Sequence, residues 1–135
     1  MNDVEYKKFV SSLTTNDCTH VDDTLLHSVL GLQDEVGEIT KLVKATMFYQ
    51  QPLCYDELVR ECGDLLFYLT MMCNVLGVTL TDVMKVNHAK LKVRYPNGFS
   101  IDNAAECNRD KEAERQAASD AIKNKTACSY NERGE

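Results

Sequence analysis

"LLFYLTMMCNVL", Leu65–Leu76, is apolar on nearly every side when wound as a helix. Only Thr70 and Asn74 interrupt it, and the run is too short to span a bilayer. In a soluble chain of this size, a helix without a polar face is usually surrounded. The helical pattern begins near Asp56, and Gly77 is placed to end it. Upstream, Pro52 in "YQQPLC" marks a break. Before that break, Leu25, Val29, Leu32, Val36, Ile39, Leu42 and Val43 recur at helical spacing. They predict a long helix over about 24–48, with Asp22 or Asp23 as its cap. Downstream, Thr79 or Thr81 can cap another helix that ends near Arg94 at the turn "YPNG". At the N-terminus, Tyr6, Phe9, Val10 and Leu13 predict a short first helix, capped by Asn2 or Asp3.

No stretch alternates as a strand does, so the expected fold is all-α. It is an antiparallel bundle of four main helices over residues 1–100. Residues 101–135 are polar, with Ile101, Ile122 and Tyr130 as their large apolar residues. Within them, "AAECNRDKEAERQAASDAIK" can form a polar helix against the bundle, and the last dozen residues are expected to lack fixed structure. Four short helices do not easily surround the apolar third one. A second copy is therefore expected to cover it, giving a homodimer or homotetramer. The alternative is that the C-terminal segment covers it within one chain.

The 135 residues suit one domain, and 44% of them are hydrophobic. Acids outnumber bases 21 to 15, for a net charge of −6, which argues against a general nucleic-acid or membrane-surface partner. An acidic protein can still bind polyphosphate if a divalent cation lies between the two sets of charge. The polar N-terminus lacks the apolar stretch of a secretory signal. The six cysteines fall at irregular spacings without a CxxC, which reads as reduced thiols in the cytoplasm.

Two acidic pairs of one shape flank the Pro52 break: "DEVGEI", Asp34–Ile39, and "RECGDL", Arg60–Leu65. Glu35 and Glu38 share a face of the second helix, and Glu61 and Asp64 share a face of the third. If the helices pair antiparallel, the two pairs come level, roughly nine residues to either side of the link at about 1.5 Å per residue. Gly37 and Gly63 would let a backbone or ligand approach there. Four carboxylates beside an apolar core repel one another unless protons or cations neutralise them. Oxygen donors without histidine suit Mg²⁺ or Mn²⁺ rather than zinc or a di-iron centre. A single ExxE on a helix is usually a solvated face; two matched pairs at one height favour a metal site.

These motifs resemble the EExxE…ExxD signature of the MazG-like all-α nucleoside triphosphate pyrophosphohydrolases, with Asp34 in place of the first glutamate. The resemblance covers about Leu25 to Ser100 and includes "NHAKLKVRYPNGFS", similar to the basic fourth helix of single-domain phage or bacterial members. It implies Mg²⁺-dependent hydrolysis of NTPs or dNTPs between the α- and β-phosphates, giving a nucleoside monophosphate and pyrophosphate, with Mn²⁺ as a possible substitute. It implies Glu35, Glu38, Glu61 and Asp64 as metal ligands. Glu38 is the expected general base. Asn87, Lys90, Arg94 and Tyr95 resemble phosphate-contacting positions, and the alternative for them is a solvated basic face. Tyr68, four residues after Asp64, can aim its hydroxyl at the same site or simply pack. Lys41 can contact phosphate or pair with Glu38. His27, two turns before Glu35, and Phe48 can touch a base, although an exposed histidine near a helix start is commonly a surface residue. Some relatives hold the base between tryptophans; this chain has no Trp, and the nucleobase stays open. Competing classes are a metal-stabilised helical dimer that binds nucleotide or protein without turnover and, among enzymes, a phosphoribosyl-ATP or alarmone pyrophosphohydrolase.

Overall fold

A computed structural model describes residues 1–14 and 21–123, with side chains described from residue 23 in the second segment. Helices are the only regular elements among these residues: α1 (Asp3–Leu13), α2 (Val21–Tyr49), α3 (Tyr55–Val75), α4 (Leu80–Arg94), α5 (Ile101–Ala104) and α6 (Lys111–Asp120). A 3-10 turn, Glu106–Asn108, lies between α5 and α6. Cys18, Cys128, Tyr130 and the expected C-terminal tail lie outside the described residues.

Local chemistry sets most of the ends. Asn2 caps α1 in a reciprocal box: its side-chain oxygen accepts from the Glu5 amide at 2.9 Å, and its own amide donates to the Glu5 carboxylate at 2.9 Å. Thr79 and Asp82 repeat the device at α4, at 3.2 and 3.0 Å. Gly77, at φ 70°, follows the end of α3 in the left-handed conformation that glycine adopts without strain. Gly98, at φ 93°, closes the "YPNG" turn, its amide donating to the Tyr95 carbonyl. One end differs from expectation. Asp22 and Asp23 lie inside α2, because the helix is already formed at Val21.

The chain divides into two compact units, Met1–Leu76 and Gly77–Glu135. In the first, α3 packs along α2 and also against α1. Val10, Met71 and Cys73 are its buried apolar residues. The two interruptions in the apolar run both donate hydrogen bonds, while the buried Asn74 side-chain oxygen has no partner among the described residues. Thr70 donates its hydroxyl to the Leu66 carbonyl at 2.7 Å, and Asn74 donates its amide to the Ser11 hydroxyl of α1 at 3.0 Å. Much apolar surface stays exposed on this unit, including Leu26, Leu30, Met47 and Phe48 of α2 and Val59 of α3. Cys54, Cys62 and Cys107 are exposed thiols, and Cys73 is buried. No single helix among the described residues is long and apolar enough to cross a membrane.

In the second unit, the polar helix α6 packs on α4. Glu114 of α6 is buried, and two guanidinium groups clasp it side-on. Arg94 donates from Nε and Nη2 at 3.0 and 2.7 Å, and Arg109 donates from the same two atoms at 3.1 and 2.8 Å. These bonds hold the Glu114 carboxyl far below the usual carboxylate range, and the Arg94 guanidinium stays above its already high value.

Candidate metal centre

The α2–α3 pairing brings three of the four expected carboxylates together. Glu35 comes from α2, and Glu61 and Asp64 come from consecutive turns of α3. One oxygen of each lies within 4.8 Å of the others. Glu61 is buried, while Glu35 and Asp64 are half-buried. Charge at this spot is poorly balanced. Burial, first, pushes the Glu35 carboxyl up; the negative charge of Asp64 and a hydrogen bond with Glu61 push it further. The nearest paired cation is Arg60, whose Nη2 lies 2.9 Å from a Glu61 oxygen on a largely exposed side chain.

Glu38 is outside this trio. It lies one turn beyond Glu35, exposed, and forms an ion pair with Lys41 at 2.5 Å. That bond raises the Lys41 amine above its ordinary value. Lys41 lies three residues on along the same helix, the spacing that puts two side chains on one face. Lys41 thus takes the charge-pairing role rather than standing free.

Tyr68 and His27 come together. Their rings meet edge to face at 5.8 Å, and Phe67 also meets Tyr68 edge to face at 5.3 Å. No protein group approaches Gly37 or Gly63, and a Cβ on either would meet nothing within 4 Å, so the space beside both is open. A close approach within the protein occurs at Gly31, where the Tyr68 ring fills the space a side chain would take. Tyr6 of α1 also escaped the sequence reading, which used it only as part of the spacing that predicts that helix. Burial, and then the charge of Asp64, raise its hydroxyl pKa, so α1 contributes to the surroundings of that carboxylate.

The other expected substrate contacts belong to the second unit. Asn87 is exposed and Lys90 half-buried. Tyr95 packs its ring 5.5 Å from Phe99, with the Arg94 guanidinium 5.8 Å from its centroid. Arg94 is committed to Glu114, a partner that local spacing gives no means of finding.

Compared with known families, residues 23–99 match the MazG nucleotide pyrophosphohydrolase domain, more than half of the chain. The chain belongs to the MazG family. No curated protein and no solved structure matches it. The MazG match spans both halves of the acidic signature, and so all three clustered carboxylates. It omits Tyr6, Arg109 and Glu114. The family assignment makes this a nucleotide pyrophosphohydrolase domain in general terms, with an acidic trio suited to a divalent ion.

The donor set fits such an ion. All three donors are carboxylates, which hard cations prefer. The raised Glu35 carboxyl is what an uncompensated acidic cluster produces.

Proposed function

We propose that this protein hydrolyses nucleoside or deoxynucleoside triphosphates at the α–β phosphate bond, releasing a nucleoside monophosphate and pyrophosphate. The observation that carries the reading is the trio Glu35, Glu61 and Asp64, brought together on the two helices that bear the MazG acidic motifs.

Glu35, Glu61 and Asp64 would hold Mg²⁺, or Mn²⁺ in its place. Such an ion supplies charge neutralisation for the phosphates and lowers the pKa of water. Glu61, being buried, fixes the floor of the site, and Arg60 balances part of its charge from outside. Glu38 stays solvent-accessible beside the trio and is proposed to accept the proton of the attacking water. Lys41 lies within ion-pairing distance of it. Water attacks the α-phosphorus, the bond to the bridging oxygen breaks, and pyrophosphate leaves. Tyr68 and His27 are proposed to face the nucleoside. Asn87, Lys90 and Tyr95 are proposed as phosphate contacts on the family resemblance, while Arg94 is taken up by Glu114.

A homodimer or homotetramer is proposed as the working form. Its support is the large apolar side chains left exposed at Leu26, Leu30, Met47, Phe48 and Val59, which a second copy could cover. Light scattering tests this, and a monomer at working concentration would contradict it.

The activity is tested by pyrophosphate release over a panel of NTPs and dNTPs with Mg²⁺ or Mn²⁺, comparing wild type with Glu38→Ala. Pyrophosphate from at least one nucleotide, lost in the variant, is the expected result. Orthophosphate from cleavage between the β- and γ-phosphates would overturn the scissile bond. Nucleotide binding without any cleavage would favour the non-catalytic metal-stabilised dimer.

A further inference from the structure

Gly31 stands one turn before Glu35 on α2, and Tyr68 one turn after Asp64 on α3. A Cβ placed on Gly31 would lie 2.2 Å from Tyr68 Cε1 and 2.4 Å from both Cδ1 and Cζ. Real Cβ atoms essentially never come within 3.0 Å of such a neighbour. The ring therefore rests against bare α2 backbone, in space that any other residue would need. It is hemmed in as well, by Phe67 at 5.3 Å and His27 at 5.8 Å. Gly37 and Gly63, inside the acidic motifs, have open space instead.

From this we infer that Gly31 is a positioning residue for the carboxylate site. Its missing side chain lets Tyr68 seat against α2, and that seat sets the helix separation at which Glu35 reaches Glu61 and Asp64. The inference rests on the reading of those carboxylates as a cation site. Helix separation follows the side chains at the contact. A helix is stiff over one turn, about 5.4 Å, so a displacement at Gly31 passes to Glu35 with little loss. A metal site tolerates errors of only about 0.2 Å in its ligand distances. Mg²⁺ demands near-ideal octahedral geometry, whereas Ca²⁺ accepts longer and irregular bonds. A spread site thus loses Mg²⁺ before it loses Ca²⁺.

The test titrates Mg²⁺ and Ca²⁺ calorimetrically into the full chain without nucleotide, for wild type, Gly31→Ala, Tyr68→Ala and the double variant. Gly31→Ala is expected to weaken Mg²⁺ binding about 10-fold or more, with a smaller loss for Ca²⁺. With the ring removed, Gly31→Ala should cost nothing further, so the double variant binds Mg²⁺ as Tyr68→Ala does. Unchanged Mg²⁺ affinity in Gly31→Ala would overturn the inference, as would an equal loss whether or not the ring is present. If Gly31→Ala alone does not fold, the two Tyr68→Ala proteins decide: equal affinities support the inference, and unequal ones overturn it. A wild type that binds neither ion would remove the cation site itself, and the inference with it.

Discussion

Two of the places where the described residues bury charge are treated in opposite ways. Glu114 has two guanidinium groups on one carboxylate, each bound through two atoms. The Glu35–Glu61–Asp64 trio has three acids together, with one exposed arginine beside one of them. The first arrangement is complete within the chain and lowers the carboxyl pKa of Glu114. The second is incomplete and raises that of Glu35. A buried carboxylate that its own protein satisfies is architecture; a group of carboxylates left unbalanced is suited to a cation.

The sharpest way to break this contrast is to neutralise one member of the trio. Glu61→Gln keeps the shape and removes a charge from the buried floor of the site. It should reduce pyrophosphate release by on the order of 100-fold or more. Glu114→Ala should do something different. It strands two arginines, so the melting temperature should drop by several degrees and α6 should lose hydrogen-exchange protection. Divalent-ion binding should persist in that variant. If Glu114→Ala abolished ion binding and Glu61→Gln did not, the assignment of roles would be reversed.

Acid titration sharpens the comparison, because the two clusters have opposite signs. Glu114 has a depressed folded pKa. Its contribution is present above the ordinary value of 4.5 and is lost as the pH falls below that value toward the folded one. Glu35 has a raised folded pKa. Its protonated form favours the folded state, a contribution present below 4.5 and lost as the pH rises through the raised value. Without divalent ions, stability should therefore rise slightly on moderate acidification and then fall in stronger acid. Added Mg²⁺ should raise the melting temperature at neutral pH and progressively less toward pH 4.5. Thermal melts with and without Mg²⁺ across that range check both signs.

The fold was legible where its causes are local. Helical spacing located α1 to α4, and the caps at Asn2, Thr79 and Gly77 follow from residue chemistry within a few positions. The pairing of α2 with α3 followed from the short Pro52 link, and three of the four acids converge there. What escaped depends on partners distant in sequence or on competition nearby. Glu38 has Lys41 close at hand and turns to it. Arg94 was read as a phosphate contact or part of a solvated basic face, and its pairing with Glu114 was out of reach because that acid lies well beyond the basic helix. Gly37 and Gly63 drew notice by lying in the motifs, whereas Gly31 is explained only by Tyr68, which reaches it from another helix.

The smallest expected effect concerns those glycines. Gly37→Ala adds a Cβ into open space inside α2 and should stabilise the fold by up to about 1 kcal/mol, seen in denaturant unfolding. A destabilised Gly37→Ala would show that the open space there is needed by something packed against it.

The most direct measurement of the central claim is a calorimetric Mn²⁺ titration of wild type and Glu61→Gln at neutral pH, without nucleotide. Saturable binding in the wild type, lost or strongly weakened in the variant, is the expected result. Equal binding by both proteins, or none by the wild type, would contradict a cation site built from Glu35, Glu61 and Asp64.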